Sequence, residues 1–549
     1  MKNKNQYKKI YEKGISLISL VITIIVLLIL AGVSVAMLTG ENGILTQAGQ
    51  AKEQTEKAAI EEKIKLETMA LKNGGTLSEL KDNLNIEGAE YEVGSKSMTV
   101  TTKEGYVYTV LFDGTIVEGK LVCLDIADGN IDLYSNGYKQ YKGNLQALYK
   151  NGSTEYTGKY IITGTTIENV VRVCDEGTYD ITIKNLDIKL SADKGDYCAF
   201  NANRGSKATD CYVNITLEGK NYLYGSGDAP GLGFTNGTPN VDGITNGSTL
   251  TIQGEGSLEA RGGKFAAGIG SGYSGSEVSG GQVSNIIINS GNIKAIGGNH
   301  GAGIGSALNG KVNNIIINGG NIEVYGDSFG SGIGATGTVD NIIINGGNIK
   351  ANGGYWGTGI GSRSKSVSGA IKITGGNINV DVYASPTIYH EYEFAVIGQG
   401  CESVKIEGGT IRTYSNVHAG LFGGANVEIT GGNLLLNGLG DIGTLDENNN
   451  FVKSTATNGE SDIYLTKIKL TNAKGNEKIT ELKTSDNVAY GIKDMYVAVD
   501  DENTTDIDET GMVYLYLPKG SRTITIEVDG KSYNGVVETT EEGNIVTLN

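Results

Sequence analysis

Three residues ahead of successive Gly-Ile-Gly triplets the chain places Phe265, His300, Phe329 and Trp356, with Tyr355 beside the last. A column of flat rings at repeat spacing offers faces on which sugar rings stack, and aromatic side chains are usual in ligand clefts. The other reading is a column that packs a turn or the core. Phe265 and Ile269 are four apart and point the same way on an unbroken strand, which favours packing, whereas His300 and His418 favour exposure. In shorter copies the ring position is filled by Glu393, between Tyr392 and Phe394, and then by His418. The stretch from Asp381 to Phe394, which carries Tyr389 and Tyr392, breaks the repeat rhythm. Insertions of this kind become loops, either carrying specificity or standing as plain bulges.

Hydrolytic or lyase chemistry needs clustered carboxylates, as paired acid and base or around Ca²⁺. From Ala266 to Val380 there are six Lys/Arg and four Asp/Glu, the latter being Glu277, Glu323, Asp327 and Asp340, with only one near pair. No NTD, GHG or RIK phrase of the polygalacturonase kind occurs, and Ser/His/Asp and HExxH arrangements are absent. A polysaccharide lyase or hydrolase is therefore the minority reading, and no cofactor is expected from motifs. The one metal considered is Ca²⁺ at the acidic run containing Asp500, Asp501, Asp506 and Asp508. That run lacks EF-hand spacing and also reads as a solvated loop.

These residues must be positioned by a repeat. Gly-Ile-Gly starts at Gly268, Gly303, Gly332 and Gly359, so the unit is 27 to 35 residues long. Each unit holds three apolar bursts separated by glycine turns (NIIIN, GNIKA and GTGIG), the pattern of a parallel β-helix with three short strands per turn. The 83 Gly against 4 Pro, at fixed places in apolar phrases, fit tight turns between strands. Ile287, Ile316 and Ile343 are expected to form an interior ladder, and Asn289, Asn318 and Asn345 an amide ladder at a turn. Taking Gly177, Gly219, Gly256, Gly291, Gly320, Gly347, Gly376, Gly409 and Gly432 as the middle turns predicts nine rungs, a rod of about 43 Å.

Together with VVRVC…GTYDITIKNLDI…CAF and VNITLEGKN upstream, these phrases resemble the right-handed β-helix family of clostridial surface proteins assigned to carbohydrate binding. The likeness spans about half the chain and rests on scaffold motifs. It implies binding of plant-type or acidic polysaccharide, sometimes with calcium.

Residues Ile15 to Leu38 are an uncharged run of 24, long enough to cross a bilayer. Lys2, Lys4, Lys8, Lys9 and Lys13 precede it against Glu12 alone, which predicts a single-pass membrane protein with a cytoplasmic amino end and the bulk outside. Lys13-Gly14-Ile15-Ser16-Leu17-Ile18-Ser19-Leu20 resembles the prepilin cleavage and methylation signature of type IV pilin-like proteins. The resemblance implies cleavage after Gly14, leaving Ile15 first, with prepilin peptidase and pilin-like subunits as partners. Ser19 stands where that family usually has Glu, which puts filament assembly in doubt while leaving anchoring intact.

The expected organisation is a leader (1–14), a transmembrane and stalk helix (15–75), a small pilin-head-like sheet (76–120), the β-helix (121–440) and a C-terminal β-sandwich (459–549). The fold class is mainly β, with one N-terminal helix. From Gly459 on, nine Lys/Arg stand against seventeen Asp/Glu. The net charge of −17 excludes a nucleic-acid partner, which needs a concentrated basic surface. Five cysteines without CxxC pairs are neither a zinc set nor a disulfide framework; buried thiols, or one or two bridges, are expected. The functional expectation is a membrane-anchored surface protein that binds polysaccharide or adheres without catalysis. Its structural rival is a stalk or minor filament subunit with no ligand.

Overall fold

A computed structural model describes residues 44–72, 74–94, 96–135, 137–142, 159–191, 194–203, 210–234, 247–272, 281–363, 369–382, 395–415, 419–422, 426–436, 442–445, 451–499 and 511–549. The chain is mainly β and divides into two compact units, 1–120 and 121–549. Gly14, Ile15 and the apolar run to Leu38 lie outside the described residues. Among the described residues no helix is long and apolar enough to cross a membrane.

In the first unit, helix Ile44–Lys72 is followed by Gly74 at φ +92° and the short helix Leu77–Asn83. Thr76 accepts from the Glu79 amide at 3.2 Å, and Glu79 accepts from the Thr76 amide at 2.7 Å, a reciprocal cap that fixes the start of the second helix. A four-stranded antiparallel sheet follows (Glu90–Val93, Ser97–Thr101, Val107–Leu111 and Ile116–Glu118). Ile64 and Leu71 of the long helix share a core with Leu80, Met98, Val100 and Val110. Alternation in Ser97–Thr101 turns Met98 and Val100 inward together.

In the second unit the repeats lie on one another in parallel register. The first column contains Gln282–Ile288, Lys311–Ile317 and Thr338–Ile344, pairing Ile286 with Ile315 and Ile342. The second contains Asn292–Ile296, Asn321–Tyr325 and Asn348–Gly353, and the third Ile269–Gly270, Ile304–Gly305, Ile333–Ala335 and Ile360–Ser362. The third column belongs to a thirteen-stranded sheet in which only the end strands, Gly137–Tyr141 and Phe451–Lys453, pair antiparallel. Isoleucines from all three columns meet in one continuous core.

The interior ladder differs from the expectation. Ile286, Ile288, Ile315, Ile317, Ile342 and Ile344 are fully buried, whereas Ile287, Ile316 and Ile343 face outward and are half-buried. In NIIIN both asparagines are outward, and period-two alternation then places the first and third isoleucines inside and the middle one outside. The turn assignment is corrected at two early copies. Asn185, at φ +51°, is the corner where Gly177 was expected; Gly177 instead opens strand Gly177–Lys189. The left-handed residue of the Gly256 copy is Gly254, at φ +115°. Gly347, at φ +99°, shows why the corner takes glycine, since a Cβ there would also lie 2.9 Å from the Gly320 carbonyl oxygen.

The C-terminal part belongs to the same unit. Ser461–Leu470 and Gly511–Pro518 lie in one sheet and Ile479–Thr484, Gly520–Val528 and Lys531–Thr539 in another, sharing a core that includes Ile468, Val513, Ile524 and Val537. Its 490–496 segment lies along the glycine corners of the last repeats. Gly409 donates to the Lys493 carbonyl at 2.7 Å, Gly491 donates to that of Thr430 at 2.7 Å, and the Tyr490 hydroxyl reaches the Gly432 carbonyl at 2.6 Å. Cys211 and Cys401 are buried thiols, and burial pushes both up to about 12.

Candidate functional site

The first- and second-column strands turn every second side chain outward, so each column presents rows that repeat along the sheet at about 4.8 Å. The second column is a groove of about 490 Å³ that crosses six successive strands, from Lys220–Tyr224 to Asn377–Val382. One row is amide: Asn321 donates to Asn292 at 2.8 Å and Asn348 to Asn321 at 2.9 Å, with Asn377 next in register. The neighbouring row runs Tyr222, Glu259, Lys294, Glu323, Lys350, Asn379. With Lys220 the lining holds three cations against two carboxylates, a local excess of positive charge in a chain of net −17.

The third row fixes the groove's charged groups. Tyr224 donates to Glu259 at 2.6 Å, and Arg261 pairs with Glu259 at 2.6 Å. Burial pushes the Glu259 carboxyl up, but the Tyr224 hydroxyl and Arg261 guanidinium outweigh it and hold it below the usual carboxylate range. Burial and the bond to Glu259 push Tyr224 up to about 12, and Tyr325 reaches about 12 by burial and its bond to Glu323. The Lys189 ammonium lies 4.1 Å from the Tyr222 ring centroid.

The expected ring column is present. Phe265 and His300 have centroids 5.5 Å apart; His300 and Phe329 stack at 4.5 Å and 4°, and Phe329 and Trp356 at 4.5 Å and 18°. Each ring lies on the turn after a second-column strand and is half-buried, outside the continuous core. A sugar between two rings needs about 7 Å, two van der Waals contacts, so these faces serve one another. Tyr355 is 55% exposed and points away from burial. His300 is held below the ordinary histidine range by burial and then by Arg363, against Asp327; its Nδ1 has no hydrogen-bond partner among the described residues.

Tyr389, Tyr392, Glu393 and His418 lie outside the described residues, as do Asp500, Asp501, Asp506 and Asp508. Among the described residues no group of three or more His, Cys, Asp or Glu is arranged to hold a metal ion.

The first column has a different outer surface. Three of its outward rows over five strands, from Cys211–Glu218 through Thr249–Gly254 to Thr338–Ile344 and the Asn345 that follows, hold only Tyr, Asn, Thr, Gln and Ile, and they are bordered on the same strands by Glu218 and by the Lys311–Asp340 ion pair at 2.8 Å. Asn314 donates to Asn285 at 2.6 Å and Asn341 to Asn314 at 3.1 Å on one side of the Ile287, Ile316, Ile343 row. On the other side Asn318 donates to Asn289 and Asn345 to Asn318, both at 2.8 Å.

Sequence reasoning foresaw the ring column and the amide ladder at Asn289, Asn318 and Asn345. It missed the groove. The signal was in GNIKA itself, because alternation that buries Ile293 and Ala295 must send Asn292 and Lys294 outward. Comparison with family models, with curated proteins and with solved structures finds no match for this chain.

Proposed function

We propose that this chain is a membrane-anchored surface protein that displays a right-handed parallel β-helix, ended by a C-terminal β-sandwich, for non-catalytic polysaccharide binding or adhesion. The supporting observation is the six-strand groove of the second column. It follows the direction in which rungs repeat, so a linear polymer meets an Asn amide at each step from Asn292 to Asn377. Each laddered amide keeps one N–H and one lone pair free for a sugar hydroxyl. Lys220, Lys294 and Lys350 suit a soluble chain bearing carboxylates, and Glu259 and Glu323 hold neighbouring tyrosines and cations in place. Binding leaves the ligand covalently unchanged. The membrane anchor is the run from Ile15 to Leu38, with processing at Gly14.

The test is retention of the full-length protein, in detergent, on soluble acidic and neutral polysaccharides with and without Ca²⁺. Retention of an acidic chain, weakened by Lys294→Ala/Lys350→Ala, supports the reading. Failure to retain any polysaccharide sinks it, and shortening of the chain replaces it with an enzyme. Mass spectrometry of the cell-associated protein tests the anchor, because an intact amino terminus refutes cleavage after Gly14.

A second reading, a stalk or filament subunit without ligand, is favoured by the self-stacked rings. Their faces are engaged with one another, as in a device that stiffens turns.

A further inference from the structure

The first-column outer face has no part in the groove. We infer that it is a second binding surface, for the face of an ordered, uncharged polysaccharide in which several chains lie side by side. The assignment rests on the polysaccharide reading above and adds the location and the physical state of the ligand.

The argument starts from repetition in two directions. Along the sheet the rows repeat at about 4.8 Å, and across it outward side chains recur about every 6.7 Å. A single chain in a cleft uses one row, whereas three equivalent rows on an open face contact a surface that is itself repeated. The chemistry is also two-sided. Ile287, Ile316 and Ile343 offer methyl groups to the C–H faces of sugar rings, and the flanking asparagines offer amide donors and acceptors to hydroxyls at the ring rims.

Charge argues against a strongly acidic or basic partner. The fifteen positions of the three rows are neutral in a chain of net −17, and the charges at their borders balance in sign, Asp180 and Glu218 against Lys372 with Lys311 paired to Asp340, so the rows themselves select neither an acidic nor a basic partner. Size argues against a second copy. Five strands by three rows cover roughly 300 Å², far below the ~800 Å² per partner of a stable protein interface.

The same row supplies a mild way to break the face. Lys372 and Lys405 occupy it in later repeats, so a lysine is compatible with the strand. The experiment is depletion of full-length protein by microcrystalline cellulose and crystalline chitin particles, comparing the native chain with Ile316→Lys/Ile343→Lys and with Lys294→Ala/Lys350→Ala. Unchanged thermal midpoints confirm that both variants are folded. The expected result is native retention on particles, about tenfold weaker for the isoleucine variant and unchanged for the groove variant. Equal retention of the native chain and the isoleucine variant overturns the assignment, as does loss in the groove variant alone; either outcome leaves the polysaccharide reading standing. Retention of soluble acidic chains without retention on particles also overturns only this inference. No retention on any polysaccharide removes both. Sedimentation that shows a dimer abolished by Ile316→Lys/Ile343→Lys, without particle retention, assigns the face to a second copy and overturns it.

Discussion

The outer surfaces of the first and second columns are made by the same repeats, on the same parallel scaffold, yet they have nearly opposite chemistry. One is an uncharged lattice of asparagine and isoleucine; the other is a groove of asparagine, lysine, glutamate and tyrosine. Inside, both columns are alike: Ile315 and Ile317 of one and Ile322 and Val324 of the other are all buried to within 2%. Inward rows are constrained by packing, with apolar residues above and below, Ile286 and Ile342 around Ile315 and Ala295 and Ala351 around Val324. Outward rows lack that packing, and among them the asparagine rows are tied from repeat to repeat by ladder hydrogen bonds. On the proposed reading, function lies on the outward rows, while most of the packing that stabilises the scaffold lies on the inward ones.

The largest effect that sharpens this contrast is between adjacent isoleucines. Ile315→Ala removes a fully buried side chain and is expected to cost about 2–5 kcal/mol, whereas Ile316→Ala next to it should stay within about 1 kcal/mol; denaturant midpoints of the two variants decide it. Equal losses would mean that both faces are structural. Gly347→Ala follows, at about 1–3 kcal/mol, because φ +99° and the nearby Gly320 carbonyl both oppose a Cβ. Smaller still is the interruption of a ladder. Asn318→Ala removes the bonds to Asn289 and Asn345, and each is worth about 1 kcal/mol; a matched Asn321→Ala should cost a similar amount in the second column while also weakening ligand retention.

The smallest effect is electrostatic and separates the faces by pH. Glu259 titrates below its ordinary range in the folded chain, so its contribution is complete above the unfolded carboxylate value, near 4.3, and is lost as pH falls through the lower folded value. Glu259→Gln should flatten that part of the acid limb of a stability profile. Ile287→Thr, on the uncharged face, should leave the limb unchanged; an identical change in both variants would contradict the assignment.

Much of the scaffold was legible because its signal is local and repeated. The Gly-Ile-Gly triplets align as read, with Ile269 on Ile304, Ile304 on Ile333 and Ile333 on Ile360, and the helix at Ile44–Lys72 follows its Ala, Glu, Lys and Gln composition. What was misread turned on parity. A run of three isoleucines has no internal marker of which one is inside, and only the flanking Asn285 and Asn289 settle it. The corner at Asn185 carries no glycine to mark it, because asparagine also adopts the left-handed conformation. The ring column was legible as a column, but its stacking at 4.5 Å was not, since spacing in sequence does not say whether rings face one another or a ligand.

The central claim is that the second-column groove holds a polysaccharide chain. Its most direct measurement is affinity electrophoresis of full-length native protein and Lys294→Ala/Lys350→Ala in gels containing a soluble acidic polysaccharide. The account predicts retardation of the native protein that falls with added salt and is reduced several-fold, by about 1 kcal/mol of binding, in a variant of unchanged thermal midpoint. Equal migration of native protein with and without the polysaccharide, or equal retardation of the two proteins, would contradict it.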